Sequence, residues 1–183
     1  SFAAQEILVI NSSINGRTTR QALEDMPYHV QNQRPEILVV QFGLNDCNHW
    51  ATDQGLPRVS PEAFKANLRE IVQRGKQFGA QHILINNNHP TSNQEESMPH
   101  GNRSFEDSNQ IYNAVTRDLA LELKDDVNFQ DMERHFHELV KNGAKMSGLL
   151  LKDGLHLGVE GHQVYFDLIS PIIQKAVNQL NHE

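Results

Sequence analysis

Cysteine is all but missing: Cys47 stands alone among 183 residues. A single thiol excludes an intrachain disulfide and the paired spacing of a zinc finger. Basic runs are missing too, and 16 Lys and Arg stand against 23 Asp and Glu for a net charge of −7. A protein that grips a phosphate backbone needs a Lys/Arg footprint, so nucleic acid is excluded as a partner. Long apolar runs are also lacking. The longest, Ile7–Ile10, Ile37–Val40 and Gly148–Leu151, fall far short of the roughly 18 residues of a membrane-spanning helix. No linker-like stretch and no internal repeat divides the chain. What is present is ordinary globular content, 38% hydrophobic and 21% charged. That is too apolar for a disordered chain, and the length suits one domain, residues 1–183, with its own core.

The apolar runs are short and rich in β-branched residues: Ile7-Leu8-Val9-Ile10, Ile37-Leu38-Val39-Val40 and Ile83-Leu84-Ile85. Continuous runs of this length fit strands buried on both faces, as in a parallel sheet. A weaker strand is expected at Val127–Phe129. Helix-length segments separate them. Thr18–Gln33 places Ala22, Met26 and Val30 on one face. Ser60-Pro61-Glu62 opens a second helix with Ser as N-cap and Pro at the first helical position. Its stripe is Phe64, Leu68, Ile71 and Val72, with Gly79 past its end. Ser108–Lys124 repeats apolar residues near period 3.6. A last helix spans Gly161 to Leu180, where Pro171 predicts a kink or break. The alternation predicts an α/β fold with a doubly wound parallel sheet. Thr91–Ser104 reads as a long loop after the third strand, where α/β proteins place functional loops.

Three motifs carry chemistry. In Asp153-Gly154-Leu155-His156 a carboxylate three residues before a histidine can hold the imidazole by Nδ1–H and leave Nε2 as a base. Gly43-Leu44-Asn45-Asp46 follows the strand Ile37–Phe42, at the carboxyl end where such sheets bind ligands. An Asn amide there can donate to an oxyanion. Asn11-Ser12-Ser13-Ile14-Asn15-Gly16 follows the first apolar run, and the Gly16 N–H can point to the same oxyanion. Taken singly, each has an ordinary structural reading, as a loop Asp with an incidental His, a strand-ending turn, and a βα turn with Thr18 or Thr19 as helix cap.

Together, in this order and in this strand context, the motifs resemble the SGNH hydrolases, the GDSL-type esterases and lipases. Val9 to Thr19 is similar to the family's second block, with Gly16 as its key residue. Gln41-Phe42-Gly43-Leu44-Asn45-Asp46 resembles the third block, G-x-N-D. Asp153-Gly154-Leu155-His156-Leu157, with Gly161-His162, resembles the fifth, D-x-x-H. The resemblance runs from residue 6 to the C-terminus, and its ending is similar to the isoamyl-acetate-hydrolysing esterase branch. It implies a three-layer α/β/α sandwich with a flavodoxin-like parallel sheet. It also implies carboxylic-ester hydrolysis through an acyl-enzyme. His156 would be general base and acid, Asp153 would orient it, and Gly16 and Asn45 would form the oxyanion hole. No cofactor or metal is implied.

One block is missing. The family's nucleophilic serine sits in G-D-S at the end of a central strand, and the chain has no Gly-Asp-Ser. Ser13 is a weak substitute, because its stretch already fits the second block. The expectation is therefore an N-terminally incomplete domain, whose nucleophile lies outside the chain. A further N-terminal segment or a second polypeptide would complete the sheet. The substrate class is a small ester, short-chain or O-acylated and in one version a carbohydrate ester. The competing reading is a non-catalytic binding module of the same fold. A metallophosphoesterase is disfavoured, since it needs several carboxylate and His ligands around two metals. His49 and His89 are candidate pocket residues. His135 and His137 are read as helix surface, and Cys47 as a packing residue. Compartment and oligomeric state are left open, between cytoplasm and secretion for the former.

Overall fold

The computed structural model describes residues 7–180. Its sheet has three parallel strands in the order β1-β2-β3: β1 Ile37–Gln41, β2 His82–Asn86 and β3 Asn128–Gln130. Ile37 pairs with His82 and Gln41 with Asn86, and Leu84 pairs with Asn128. Parallel neighbours need a long crossover. Here each crossover carries a helix: α2, Pro61–Gln77, between β1 and β2, and α3, Phe105–Glu122, between β2 and β3. α1, Thr19–His29, precedes the sheet; α4, Met132–Lys141, α5, Met146–Leu149, and α6, Val159–Leu180, follow it.

Alternation along the strands sorts side chains into two cores. Leu38, Val40, Ile83 and Ile85 face Met26 of α1, Phe64, Leu68, Ile71 and Val72 of α2, and Tyr112 and Leu119 of α3. Ile37 and Leu84 face Met132 of α4 and Tyr165, Leu168, Ile169, Ile172 and Ile173 of α6. Helices thus cover both faces, giving the expected three layers. None of the described helices is long and apolar enough to cross a membrane.

The local signals account for most boundaries. Ser60 accepts from Ala63 N and Pro61 begins α2. Thr18 and Gln21 close a capping box at α1. That helix ends at His29, earlier than its periodicity predicts, and a 3₁₀ turn over Gln31–Gln33 ends in Arg34 with φ 46°. Pro35 follows, and a residue before proline is pushed out of the α region. α3 starts at Phe105 rather than Ser108, because Ser104 and Asp107 cap each other reciprocally. α6 runs as one element through Pro171, so the predicted break does not occur.

The first apolar run is the main correction. Ile7–Ile10 is not a strand. Its residues are 41%, 84%, 83% and 47% exposed. β1 is an edge strand, and no described strand lies beside Ile7–Ile10 to accept its hydrogen bonds. An apolar run becomes a buried strand only where a neighbour completes the ladder.

Gly43 closes β1 with φ +130°, and a Cβ there would stand 2.5 Å from Asn88 Nδ2. That amide donates to Phe42 O at 2.9 Å and ties the ends of β1 and β2 together. Gly43→Ala is therefore expected to cost about 2 kcal/mol, from backbone strain and a disturbed buried hydrogen bond. Urea unfolding of the chain checks this. Gly148→Ala, where a Cβ meets nothing within 4 Å, serves as the comparison and should shift the midpoint little.

Candidate active site

Parallel strands end on one side of a sheet, so the segments after β1 and β2 share its carboxyl edge. They are cross-linked there. Gln41 Nε2 donates to Asn87 O, and Asn88 Nδ2 to Phe42 O. Asn113 of α3 accepts from Asn88 N at 2.8 Å and donates to Asn88 O at 3.0 Å. Asn87 donates to Asp131 Oδ1 and accepts from Glu133 N, while Asn86 donates to Tyr165 Oη. Asn86, Asn87 and Asn88 are all buried. Their role is to lock the sheet end, and the run of three asparagines at the end of β2 was the visible signal for it.

Asp153 and His156 meet as the motif predicts. Asp153 Oδ2 lies 2.7 Å from His156 Nδ1. Its Oδ1 accepts from Leu155 N at 2.9 Å and His156 N at 3.0 Å. One carboxylate thus shapes the turn and orients the ring. The Leu155 N–H, then the His156 ring and backbone, hold the Asp153 carboxyl down at about 2. It is ionised at neutral pH. The His156 side chain is exposed.

The turn is tied to the segment after β2. Ser92 N donates to Gly154 O at 2.8 Å. His89 Nε2 sits 2.8 Å from Leu155 O; since that oxygen only accepts, the ring proton is assigned to Nε2. His89 is 6% exposed and packs on Phe136, ring centroids 5.6 Å apart. His89, a candidate pocket residue on sequence, is placed by the structure as a buried prop under the Asp153–His156 turn. Burial, above all, holds its pKa below the ordinary histidine value.

Gly16 and Asn45 are brought together through a residue that sequence reasoning passed over. Arg58 Nη1 donates to Gly16 O at 2.9 Å and to Asn45 Oδ1 at 3.5 Å. Gly16 has φ +77°, a conformation glycine adopts without strain. Asp46, fully buried, accepts from Thr19 N at 2.9 Å and Thr19 Oγ1 at 2.6 Å. It thereby pins the Gly16 loop and the start of α1 to the G-x-N-D turn. Burial pushes its carboxyl up. Cys47 is fully buried, its thiol raised far above the usual range by burial, which suits packing. His49 is half-buried, its Nδ1 without a hydrogen-bond partner, and burial lowers its pKa. Ser13 is exposed, and its N–H is bonded to Asn11 Oδ1. The two pairs, Gly16–Asn45 and Asp153–His156, are joined through the cross-linked segments after β1 and β2.

The sequence profile of the GDSL-like Lipase/Acylhydrolase family matches residues 2–164. The chain belongs to that family. It is similar to an uncharacterized lipoprotein, YqeF, of Bacillus subtilis, 29% identical over 180 residues, covering 87% of this chain and 70% of YqeF. Esterase TesA of Pseudomonas aeruginosa is 27% identical over 107 residues, 58% of this chain and 46% of TesA. Among solved structures, Axe2, an acetylxylan esterase from Geobacillus stearothermophilus, superposes with a TM-score of 0.66 at 22% identity, covering 84% of this chain and 66% of Axe2. A lipase/acylhydrolase from Enterococcus faecalis gives 0.65 at 18% identity, covering 87% and 72%. These likenesses establish the SGNH hydrolase fold. The chain spans under half of TesA and about two thirds of Axe2.

The His89 prop has a pH signature. A histidine whose folded pKa lies below its unfolded value of about 6.5 resists a proton that the unfolded chain accepts. The stability it brings is complete above about pH 6.5 and fades as pH falls through the folded value. The urea midpoint should therefore drop between pH 7.5 and 5.5, and drop less in His89→Gln. His49, shifted in the same direction, is unchanged in both proteins and cancels in the comparison.

Proposed function

We propose that this chain carries the base and oxyanion half of a serine esterase site. The reading rests chiefly on the 2.7 Å contact of Asp153 with His156, in a turn tied to the carboxyl edge of the sheet of a family member. His156 Nε2 takes the proton of a serine hydroxyl as that oxygen attacks the ester carbonyl. The same imidazolium then protonates the departing alcohol. Water repeats the cycle on the acyl-enzyme. Asp153, held ionised by its backbone donors, stabilises the imidazolium and keeps Nε2 aimed outward. The Gly16 N–H and the Asn45 side-chain amide receive the oxyanion.

The nucleophile is a serine outside the 183 residues. It arrives on a parallel strand laid against the free edge of β1, which leaves one side of Ile37–Gln41 without a described partner strand. The strand comes from a further N-terminal segment or a second chain. The substrate is a small ester, short-chain or O-acylated. The fold likeness to an acetylxylan esterase supports trying acetylated sugars first.

Turnover of 4-nitrophenyl acetate tests this in two proteins, the 183-residue chain alone and the chain preceded by a strand ending in Gly-Asp-Ser. The second should be the active one. In it His156→Ala should cost about 10⁴-fold or more in kcat. Asn45→Ala should cost roughly 10²–10³-fold in kcat with KM little changed, because the oxyanion exists only along the reaction path. EDTA should leave the rate unchanged. Rapid hydrolysis by the 183 residues alone would place the nucleophile within them, with Ser13 first to mutate. If both proteins are inert yet bind an acetylated sugar, the chain is a binding module.

A further inference from the structure

Arg58 is held in an unusual position for a surface arginine. Its backbone N–H donates to Asn48 O at 3.0 Å, and Val59 N donates to Asp46 O at 3.1 Å. Val59 is fully buried and its carbonyl accepts from the Tyr112 hydroxyl. The base of the side chain is therefore fixed beside the G-x-N-D turn. Its head is fixed as well. The guanidinium lies over the Trp50 ring, with Cζ 4.2 Å from the centroid. Nη2 donates to Gln21 Oε1 at 3.4 Å, and Nη1 to Gly16 O and Asn45 Oδ1. Every one of these acceptors is a neutral oxygen. Among the described residues no carboxylate forms an ion pair with Arg58, although other arginines, such as Arg17, Arg74 and Arg117, do.

We propose that Arg58 is the positioning residue of the oxyanion hole: its guanidinium fixes the Gly16 turn and the Asn45 amide so that their N–H groups face the reacting carbonyl. The inference rests on the oxyanion roles proposed for Gly16 and Asn45. An asparagine amide has two ends, and only the nitrogen end can donate. A cationic donor on Oδ1 commits that end as acceptor, turns Nδ2 toward the other side and polarises its N–H bonds. The same nitrogen holds the Gly16 carbonyl, and so the turn that presents the Gly16 N–H. Trp50 limits where the guanidinium can go. Preorganised donors need no rearrangement at the moment of reaction, which is the source of their catalytic value. Unneutralised positive charge behind them favours the developing oxyanion further.

The experiment uses the serine-bearing protein and 4-nitrophenyl acetate. Arg58→Ala should lower kcat about 10- to 100-fold at nearly constant KM, less than Asn45→Ala does, because Arg58 acts through it. In the Asn45→Ala background the Arg58 effect should shrink to the part exerted through the Gly16 turn, since one of the two donors it orients is gone. Affinity for a boronic acid, which binds as a tetrahedral adduct, should fall by a similar factor, while affinity for acetate should not. Arg58→Lys keeps the charge but not the fork, and should recover only part of the rate. Should Arg58→Ala fail to fold, Arg58→Lys and Trp50→Leu give the same comparison with the fold retained. Three results overturn the proposal: an unchanged kcat in Arg58→Ala while Asn45→Ala is impaired; an effect confined to KM; or an Arg58 effect of the same size with and without Asn45. If Asn45→Ala itself is without effect, the oxyanion assignment fails first, and the proposal with it.

Discussion

The in-register parallel pairing of β1 with β2 is the constraint on which the site depends. Ile37 to Gln41 runs alongside His82 to Asn86, so both strands deliver their next residues to one edge. Gly43, Asn45 and Asp46 follow the first strand. Asn87 to Ser92 follow the second and hold the Asp153–His156 turn. An antiparallel pair would put the two groups at opposite ends of the sheet. The parallel arrangement demands a crossover, and α2 supplies it with seventeen residues. Its buried stripe of Phe64, Leu68, Ile71 and Val72 fastens the crossover to the sheet.

Buried polar groups cross-link that edge. A buried amide left unpaired costs about 1–3 kcal/mol, whereas a satisfied one contributes about 1 kcal/mol net. Such groups therefore specify one arrangement more sharply than they stabilise it. Asn88 exchanges hydrogen bonds with Asn113 and donates to Phe42 O, while Asn109 donates to His89 O and Glu106 Oε2. Glu106 in turn accepts from Thr91 N. This chain of contacts fixes the segment on which His89 and Ser92 stand, and they carry the exposed turn above. An imidazole open to solvent can thus keep a defined direction, because its support is buried.

What the sequence made legible follows from how local each signal is. The strands β1 and β2 show as continuous apolar runs because both faces are covered. α2 shows in Ser60-Pro61, and the Asp153–His156 contact shows because three residues of spacing suffice to make it. Signals that depend on distant chain were not legible. Ile7–Ile10 carries the pattern of a buried strand, but a pattern cannot say whether a neighbouring strand is there. The start of α3 hid in Ser104 and Asp107, where aspartate replaces the usual glutamate or glutamine of the capping box. The role of His89 depends on Leu155, 66 positions away. Arg58 reaches Gly16 across 42 positions, and a lone arginine in a loop has no spacing rule to betray it.

The free edge of β1 links fold to chemistry. Val39 is 41% exposed, whereas Leu84, its partner in the pairing, is 1% exposed. The two sit side by side in the same sheet, and what differs is that Leu84 has a strand on each side. Exposed sheet edges are ordinarily blunted by lysine, proline or a bulge. Ile37-Leu38-Val39-Val40 has no charge and no proline, so nothing in β1 itself opposes pairing. Ile7–Ile10 adds further apolar surface without a described cover. A parallel strand laid at the usual spacing of about 4.8 Å from β1 ends beside Gly43, at the edge where Gly16, Asn45 and the Asp153–His156 turn are anchored. Under the proposed function, one strand laid there would meet both the backbone groups that the edge leaves unpaired and the need for a nucleophile.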